Sequence, residues 1–272
     1  MNNSAAFPAS ANGVYREVHG AGPDLVLVHG WGMHGGVWQS VLSKLTDDFR
    51  VTVVDLPGHG RSSAPAAFTL DQAAQALLDV APAHALWVGW SLGGMICLQA
   101  AVCAPERVHG LALVAATPRF VSDESWPCGV DASVFAQFAR DLAADYRATL
   151  QRFLALQARG ADQEKTLVKR LRRLCLEQEP PSASVLQQGL DILRTADLRS
   201  SLPRLRCPAL LLMGSRDTLV PSSAAAQIRR YLPRSEVRLF PGAGHAPFLS
   251  SPDAFVTELK MFADRLAASR HG

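Results

Sequence analysis

No apolar run in this 272-residue chain approaches the roughly 18 residues that a membrane-spanning helix requires. The amino-terminal stretch MNNSAAFPASANG lacks a basic segment followed by an apolar one, so no secretory leader is expected there. Cysteine is scarce and scattered. Cys97, Cys103, Cys128, Cys175 and Cys207 form no C-x-x-C pair and no metal-ligating spacing with histidine. Their odd number fits reduced thiols rather than a disulfide framework. An excess of charge of one sign is missing too: 27 basic against 24 acidic residues give a net +3, too mild to suggest nucleic-acid binding. Internal repeats and low-complexity tracts are absent. The expectation is a soluble cytoplasmic protein with no metal, no cofactor, and neither a membrane nor a nucleic acid as partner.

What the chain does have is apolar content, 48% of residues, enough for a sizeable core, against 19% charged. The length suits one large α/β domain carrying an insertion. Short apolar runs recur, three of them stopped by glycine or aspartate: DLVLVHG (24–30), RVTVVDLPGHG (50–60), ALWVGWS (85–91), GLALVAAT (110–117) and PALLLMGSRD (208–217). Their Val and Leu content and lack of alternation predict strands buried on both faces. Helical patterns at 70–80, 95–102, 222–231 and 252–268 lie between or after them. Strand alternating with helix predicts a mostly parallel twisted sheet flanked by helices. The rhythm breaks between residues 119 and 200, where the pattern is helical and PRFVSDESWPCG and EQEPPSAS read as loops. About 80 residues exceed one crossover. The expected organisation is a core of residues 1–118 and 201–272 with an all-helical lid at 119–200.

The stretch LWVGWSLGGM places Ser91 among Gly89, Gly93 and Gly94, between a predicted strand and a predicted helix. That context fits a nucleophile elbow, a sharp turn that lifts the serine hydroxyl clear of the sheet. A serine alone is a weak nucleophile; it needs a base, and the base an orienting acid. In this architecture the chain order is serine, acid, histidine. Of eight histidines, His19, His34, His84, His109 and His271 fall in loops, edges or the tail, His59 in a turn, and His29 precedes the serine. His245, after the late strand 237–240, has the right place. Asp217, at the end of the strand before it, is the acid. All three follow strand ends, where open parallel sheets put their sites. For the oxyanion, the expected donors are the backbone N–H of Leu92, after the nucleophile, and that of Trp31 in the HGWG loop. The Trp31 indole is also free to line a pocket.

Taken in order, HGWG, DLPGHGRS, GWSLGG, GSRDTLVP and GAGHAPF resemble the α/β-hydrolase superfamily, over almost the whole chain. LVLVHGWGMHGGVW, WVGWSLGGMICLQAAVCAPERV, RFLALQARG, GLDILRTADLR and AGHAPFLSSP resemble more narrowly the BioH-type carboxylesterases of biotin synthesis, with Trp90 and RFLALQ the more distinctive features. That resemblance implies cleavage of pimeloyl-ACP methyl ester to pimeloyl-ACP and methanol by a monomer. It also implies that Phe153, Leu154, Ala155, Leu156 and Gln157 contact the acyl chain, with Trp31, Ser91, Leu92 and His245 completing the substrate site. Without it, Phe153 and Leu156, three apart, read as lid packing.

Independently of any family, residues 147–173 carry a net +6, twice that of the whole chain. A charge run is ordinarily a solvated helix face. An acidic carrier protein would need such a basic dock, and the resemblance implies Arg147, Arg152, Lys165 and Lys169 for it. Other readings are a short-chain carboxylesterase of broad specificity without a carrier, a carbon–carbon bond hydrolase or cofactor-free perhydrolase, and a receptor that kept the fold and lost turnover.

Overall fold

The computed structural model describes residues 5–7 and 13–269; the rest of the amino-terminal stretch, and His271 in the tail, lie outside the described residues. Among the described residues eight strands form one sheet: β1 (Ala5–Phe7), β2 (Arg16–His19), β3 (Asp24–Val28), β4 (Arg50–Val54), β5 (Ala85–Trp90), β6 (Val108–Val114), β7 (Ala209–Gly214) and β8 (Glu236–Phe240). Their order is β1-β2-β4-β3-β5-β6-β7-β8. β1 pairs antiparallel with β2 and β2 with β4; every pairing from β4 to β8 is parallel. β5 and β7 are buried at every position, as their unbroken apolar runs require.

The helices of the body are α1 (Gln39–Leu45), α2 (Leu70–Val80) and α3 (Leu92–Cys103). Thr69 begins α2 with a reciprocal cap: its hydroxyl accepts from Gln72 N–H and the Gln72 side chain accepts from Thr69 N–H. α3 is buried along its length except at Gln99 and Cys103, because it is held between the sheet and α2. Four further helices, α4 (Ala132–Ala144), α5 (Tyr146–Ala158), α6 (Glu164–Leu176) and α7 (Ala183–Thr195), all lie between β6 and β7. α5 packs against α4 and α6, and α4 against α7. The two ends of this helical segment are tied together: Arg119 bridges to Asp197 in backbone pairing and as an ion pair of 2.8 Å, and Arg199 adds a second at 2.6 Å. The Arg199 guanidinium, with Arg119, holds the Asp197 carboxyl well below the usual carboxylate range.

The chain closes with α8 (Ser223–Tyr231), the single turn α9 (Pro247–Ser250) and α10 (Pro252–Ala268). α9 and α10 each start at a proline, which has no N–H to leave unsatisfied. α10 buries Phe255, Val256, Leu259, Phe262 and Leu266 as one stripe. Trp38, Phe248 and Phe255 join it to the body, with ring centroids 4.3 and 5.8 Å apart from Trp38 to Phe248 and from Phe248 to Phe255. Burying each such side chain contributes roughly 1.5–3 kcal/mol. All five cysteines are free, and among the described residues no helix is long and apolar enough to cross a membrane.

Candidate active site

Because β3, β5, β7 and β8 run parallel, the loops that follow them emerge along one edge of the sheet. Those loops carry Trp31, Ser91, Asp217 and His245. Ser91 lies between Trp90, the last residue of β5, and Leu92, the first of α3. Its backbone sits at φ +54°, ψ −120°, which L residues rarely adopt. The turn is held from both sides: Ser91 N–H donates to the Val114 carbonyl at 3.0 Å, and Gly94 N–H donates to the Ser91 carbonyl at 2.9 Å. The glycines answer to crowding. A Cβ at Gly89 would stand 2.6 Å from the Gly93 oxygen, and one at Gly93 would strike the His29 carbonyl. Strand, elbow and the loop after β3 touch through bare backbone.

His245 Nε2 lies 2.9 Å from Ser91 Oγ, and His245 Nδ1 lies 2.8 Å from Asp217 Oδ2. The other carboxylate oxygen, Oδ1, accepts from the N–H groups of Leu219 and Val220 at 2.8 and 3.0 Å. Asp217 therefore serves as an acceptor on both oxygens. The imidazole carries its proton on Nδ1, and its Nε2 lone pair accepts the Ser91 hydroxyl. Only 3%, 6% and 1% of the surfaces of Ser91, Asp217 and His245 are exposed, so this line of hydrogen bonds is shielded from water. Backbone contacts fix the base at two further points. Trp90 Nε1–H donates to the His245 carbonyl at 2.7 Å, and His245 N–H donates to the Gln157 carbonyl at 3.0 Å.

Among the described residues, the N–H groups of Trp31 and Leu92 donate no hydrogen bond. Leu92 opens α3, where the first N–H groups have no acceptor within the helix and the helix end favours negative charge. The loop carrying Trp31 passes directly beside the elbow, since a Cβ on Gly30 would lie 3.2 Å from that of Ser91. The Trp31 indole stacks edge-on against Phe153 and Phe138, at 4.9 and 5.8 Å, and its Nε1–H donates to the Leu186 carbonyl at 2.9 Å. Gly189 of α7 leaves the space the indole fills. The Trp31 indole is thus enclosed by α4, α5 and α7.

The run 153–157 lies on α5. Phe153 and Leu154 are buried, Ala155 and Leu156 half-buried, and Leu156 packs on the core. Gln157 is buried, with its side-chain carbonyl unpartnered among the described residues. Of the basic residues expected at a dock, Arg147 lies against its neighbour Tyr146, with Nε–H donating to the phenol oxygen at 3.1 Å. Arg152 pairs with Asp141 at 3.1 Å, so part of its charge is already answered within the chain. Lys165 and Lys169 sit exposed on one face of α6, and among the described residues neither makes an ion pair.

Sequence patterns did not single out His29 and His59 as buried groups. His29 Nδ1–H donates to the Gly30 carbonyl at 2.8 Å and Nε2 accepts from Leu56 N–H at 2.9 Å, tying the loop after β3 to the one after β4. His59 packs 5.4 Å from the His29 ring. Burial pushes both imidazoles down to about 3. In the unfolded chain they titrate near 6.5, so between those values the unfolded state binds more protons. Stability is therefore expected to fall as pH drops from about 6.5 toward about 3, by roughly 1.4 kcal/mol per histidine per pH unit. Urea midpoints at pH 7, 6 and 5 measure this, and His59→Phe should make the dependence shallower. An unchanged slope in that variant would assign the acid sensitivity elsewhere.

Residues 23–252 match the family model described as the alpha/beta hydrolase fold. The chain is 45% identical to the pimeloyl-acyl-carrier-protein methyl ester esterase of Nitrosomonas europaea over 244 residues, covering 90% of this chain and 97% of that one. It is 45% identical to the protein of the same name from Pectobacterium carotovorum, covering 92% and 98%. Among solved structures, an esterase from Exiguobacterium antarcticum superposes with a TM-score of 0.83 at 23% identity, covering 92% of this chain and 95% of that one.

Proposed function

The chain belongs to the alpha/beta hydrolase family and, within it, to the pimeloyl-acyl-carrier-protein methyl ester esterases; from that premise we infer that it hydrolyses the methyl ester of pimeloyl-ACP methyl ester, releasing pimeloyl-ACP and methanol for biotin synthesis. The observation that carries the chemistry is the unbroken line from Asp217 through His245 to Ser91, beside two undonated amides. Full-length similarity to relatives of that name supports the substrate.

In this reading Ser91 Oγ attacks the ester carbonyl while its proton passes to His245 Nε2. The N–H groups of Trp31 and Leu92 receive the oxyanion; removing one such donor typically costs about 3–4 kcal/mol. Collapse of the tetrahedral intermediate breaks the bond to methoxide, which takes the Nε2 proton and leaves as methanol. Water then gives a proton to Nε2 and its oxygen to the acyl carbon. Ser91 leaves with that proton restored. Asp217 holds the imidazole with Nδ1 protonated and stabilises its positive charge. Trp31, Phe153 and the other members of the 153–157 run give the methylene chain an apolar wall.

The helical segment 119–200 serves as a lid on a core of residues 1–118 and 201–272, and the protein works as a cytoplasmic monomer. The carrier docks on the lid through Arg147, Arg152, Lys165 and Lys169. Docking sets the register, so that the methyl ester end reaches Ser91 and the thioester stays outside. Exposed pairs contribute only about 0.2–1 kcal/mol each, but together they steer encounter.

Purified protein should be incubated with pimeloyl-ACP methyl ester and with dimethyl pimelate, following methyl loss and thioester integrity by mass spectrometry. Preferential cleavage of the carrier-linked ester, thioester intact, is expected. Cleavage of dimethyl pimelate alone would make the protein a short-chain carboxylesterase without a carrier. Lys165→Glu/Lys169→Glu should raise KM for the carrier-linked ester roughly tenfold relative to that for dimethyl pimelate. Equal KM changes for both substrates would remove the dock from this face.

A further inference from the structure

Arg170 is a half-buried cation, and among the described residues it has neither a carboxylate partner nor a hydrogen bond. One turn on, Arg173 reaches only Glu177, at 3.9 Å. Both arginines line a cleft of about 200 Å³ between α6 and the turn that leads into α1, together with Gly36, Gln39, Ser40 and Leu174. Burial, and then the Arg173 charge beside it, lower the hold of Arg170 on its proton. Arg170 is the partly desolvated charge of the two; the exposed Arg173 beside it, with Glu177 on its far reach, leaves the Arg170 guanidinium without an anion of its own. The guanidinium fork suits the paired oxygens of a phosphate better than any neutral ligand.

The position of the cleft says which phosphate. His34 Nε2–H donates to the Leu174 carbonyl at 2.6 Å and fixes α6 to the turn. His34 closely follows Trp31, whose N–H is the oxyanion donor proposed above. An anion in the cleft is thus held beside the loop that faces the scissile ester. On the carrier-linked reading of the substrate, the acyl chain hangs from a pantetheine arm that ends in a phosphodiester on the carrier. We propose that the cleft lined by Arg170 and Arg173 is an anion subsite that binds this phosphodiester. Arg173 continues the i, i+4 row of Lys165 and Lys169, so the subsite lies at the end of the face that would meet the carrier's own side chains, with Arg170 turned from that row into the cleft. It fixes the length of arm between the phosphate and Ser91, so chain register is measured from the phosphate rather than from the carrier surface.

The test uses two thioesters that differ only in the phosphate: pimeloyl-phosphopantetheine methyl ester and pimeloyl-pantetheine methyl ester, with no carrier attached. The wild type is expected to cleave the phosphorylated one with kcat/KM about tenfold higher, the effect of one charge-assisted hydrogen bond. In Arg170→Gln and in Arg173→Gln that ratio should fall to near one, and inorganic phosphate should compete only against the phosphorylated thioester in the wild type. Arg173 is largely exposed, so its variant stands if the Arg170 variant fails to fold, as melting temperature and circular dichroism will report. Equal kcat/KM for both thioesters in the wild type overturns the proposal, as does a ratio that survives in the folded variants. If phosphate raises the melting temperature of the wild type alone while the thioesters are cleaved equally, the cleft takes free phosphate, and its assignment to the arm is overturned. Failure of the carrier-linked reading itself shows separately, as pimeloyl-ACP methyl ester left intact by an enzyme that cleaves dimethyl pimelate.

Discussion

Ser91→Ala is expected to lower kcat for any ester by about a million-fold, the scale on which loss of the nucleophile removes the covalent route. In the proposed reaction the hydroxyl is the acceptor of the acyl group, and among the described residues its side-chain hydrogen-bond partner is His245 Nε2. The variant keeps a Cβ in the same backbone conformation, so the turn held by Val114 and Gly94 should persist and the protein should stay folded. A second replacement, His245→Ala, should then cost almost nothing further, because serine and base act as one unit. Burst and steady-state kinetics on a chromogenic ester measure both. A double variant much slower than the single one would mean that His245 works through a partner other than Ser91.

Asp217→Asn should lower kcat by about ten-thousand-fold while leaving the fold in place. The structure shows why so small a change weighs so much. An asparagine has one acceptor oxygen where the carboxylate has two, and three donors point at this position: the N–H groups of Leu219 and Val220 and His245 Nδ1–H. If the amide oxygen stays with the two backbone groups, its NH2 faces Nδ1. The imidazole must then move its proton to Nε2, where it opposes the Ser91 hydroxyl instead of accepting from it. Proton NMR of the imidazole region should show that exchange of tautomer. An active variant would place the control of the base elsewhere, in the Trp90 and Gln157 contacts to its backbone.

The parts of the molecule legible in the sequence are those in which burial or backbone chemistry leaves a residue signature. The strands from β3 to β7 appear as apolar runs because both their faces are covered. α2 starts where Thr69 and Gln72 make a reciprocal cap, and α10 where Pro252 follows Ser251, so both boundaries match the residue pattern. Ser91, 154 residues before His245, and Asp217, 28 before it, are brought into one line because each follows a strand of the same parallel set. β2 carries no such signature: REVH has one apolar residue among three polar or charged ones, and all four are half-buried near the margin of the sheet. The contacts that hold the base in place were equally silent. The Gln157 carbonyl and the Leu219 and Val220 amides act through the backbone, and any residue type presents the same groups. His29 and His59 read as loop histidines until the packing of the β3 and β4 loops showed them enclosed. At the proposed dock, the resemblance implied Arg152 as a basic residue, and the fold sets Asp141 beside it.

The tie between α5 and the base has a consequence for how such proteins diversify. Gln157 accepts from His245, Asp162 N–H donates to the Gly242 carbonyl at 3.0 Å, and Arg216, the neighbour of Asp217, pairs with Asp162 at 2.6 Å. The segment above the site is therefore not a detachable module. A transplant of another protein's helices onto this scaffold would bring a new substrate wall but strip three supports from the catalytic loops. Successful exchange has to carry residues 157–162 along with the loops at 214–217 and 242–245, as one inherited block. Specificity can drift freely elsewhere in the helices, while at this seam a change of substrate and a change of catalytic competence are the same mutation.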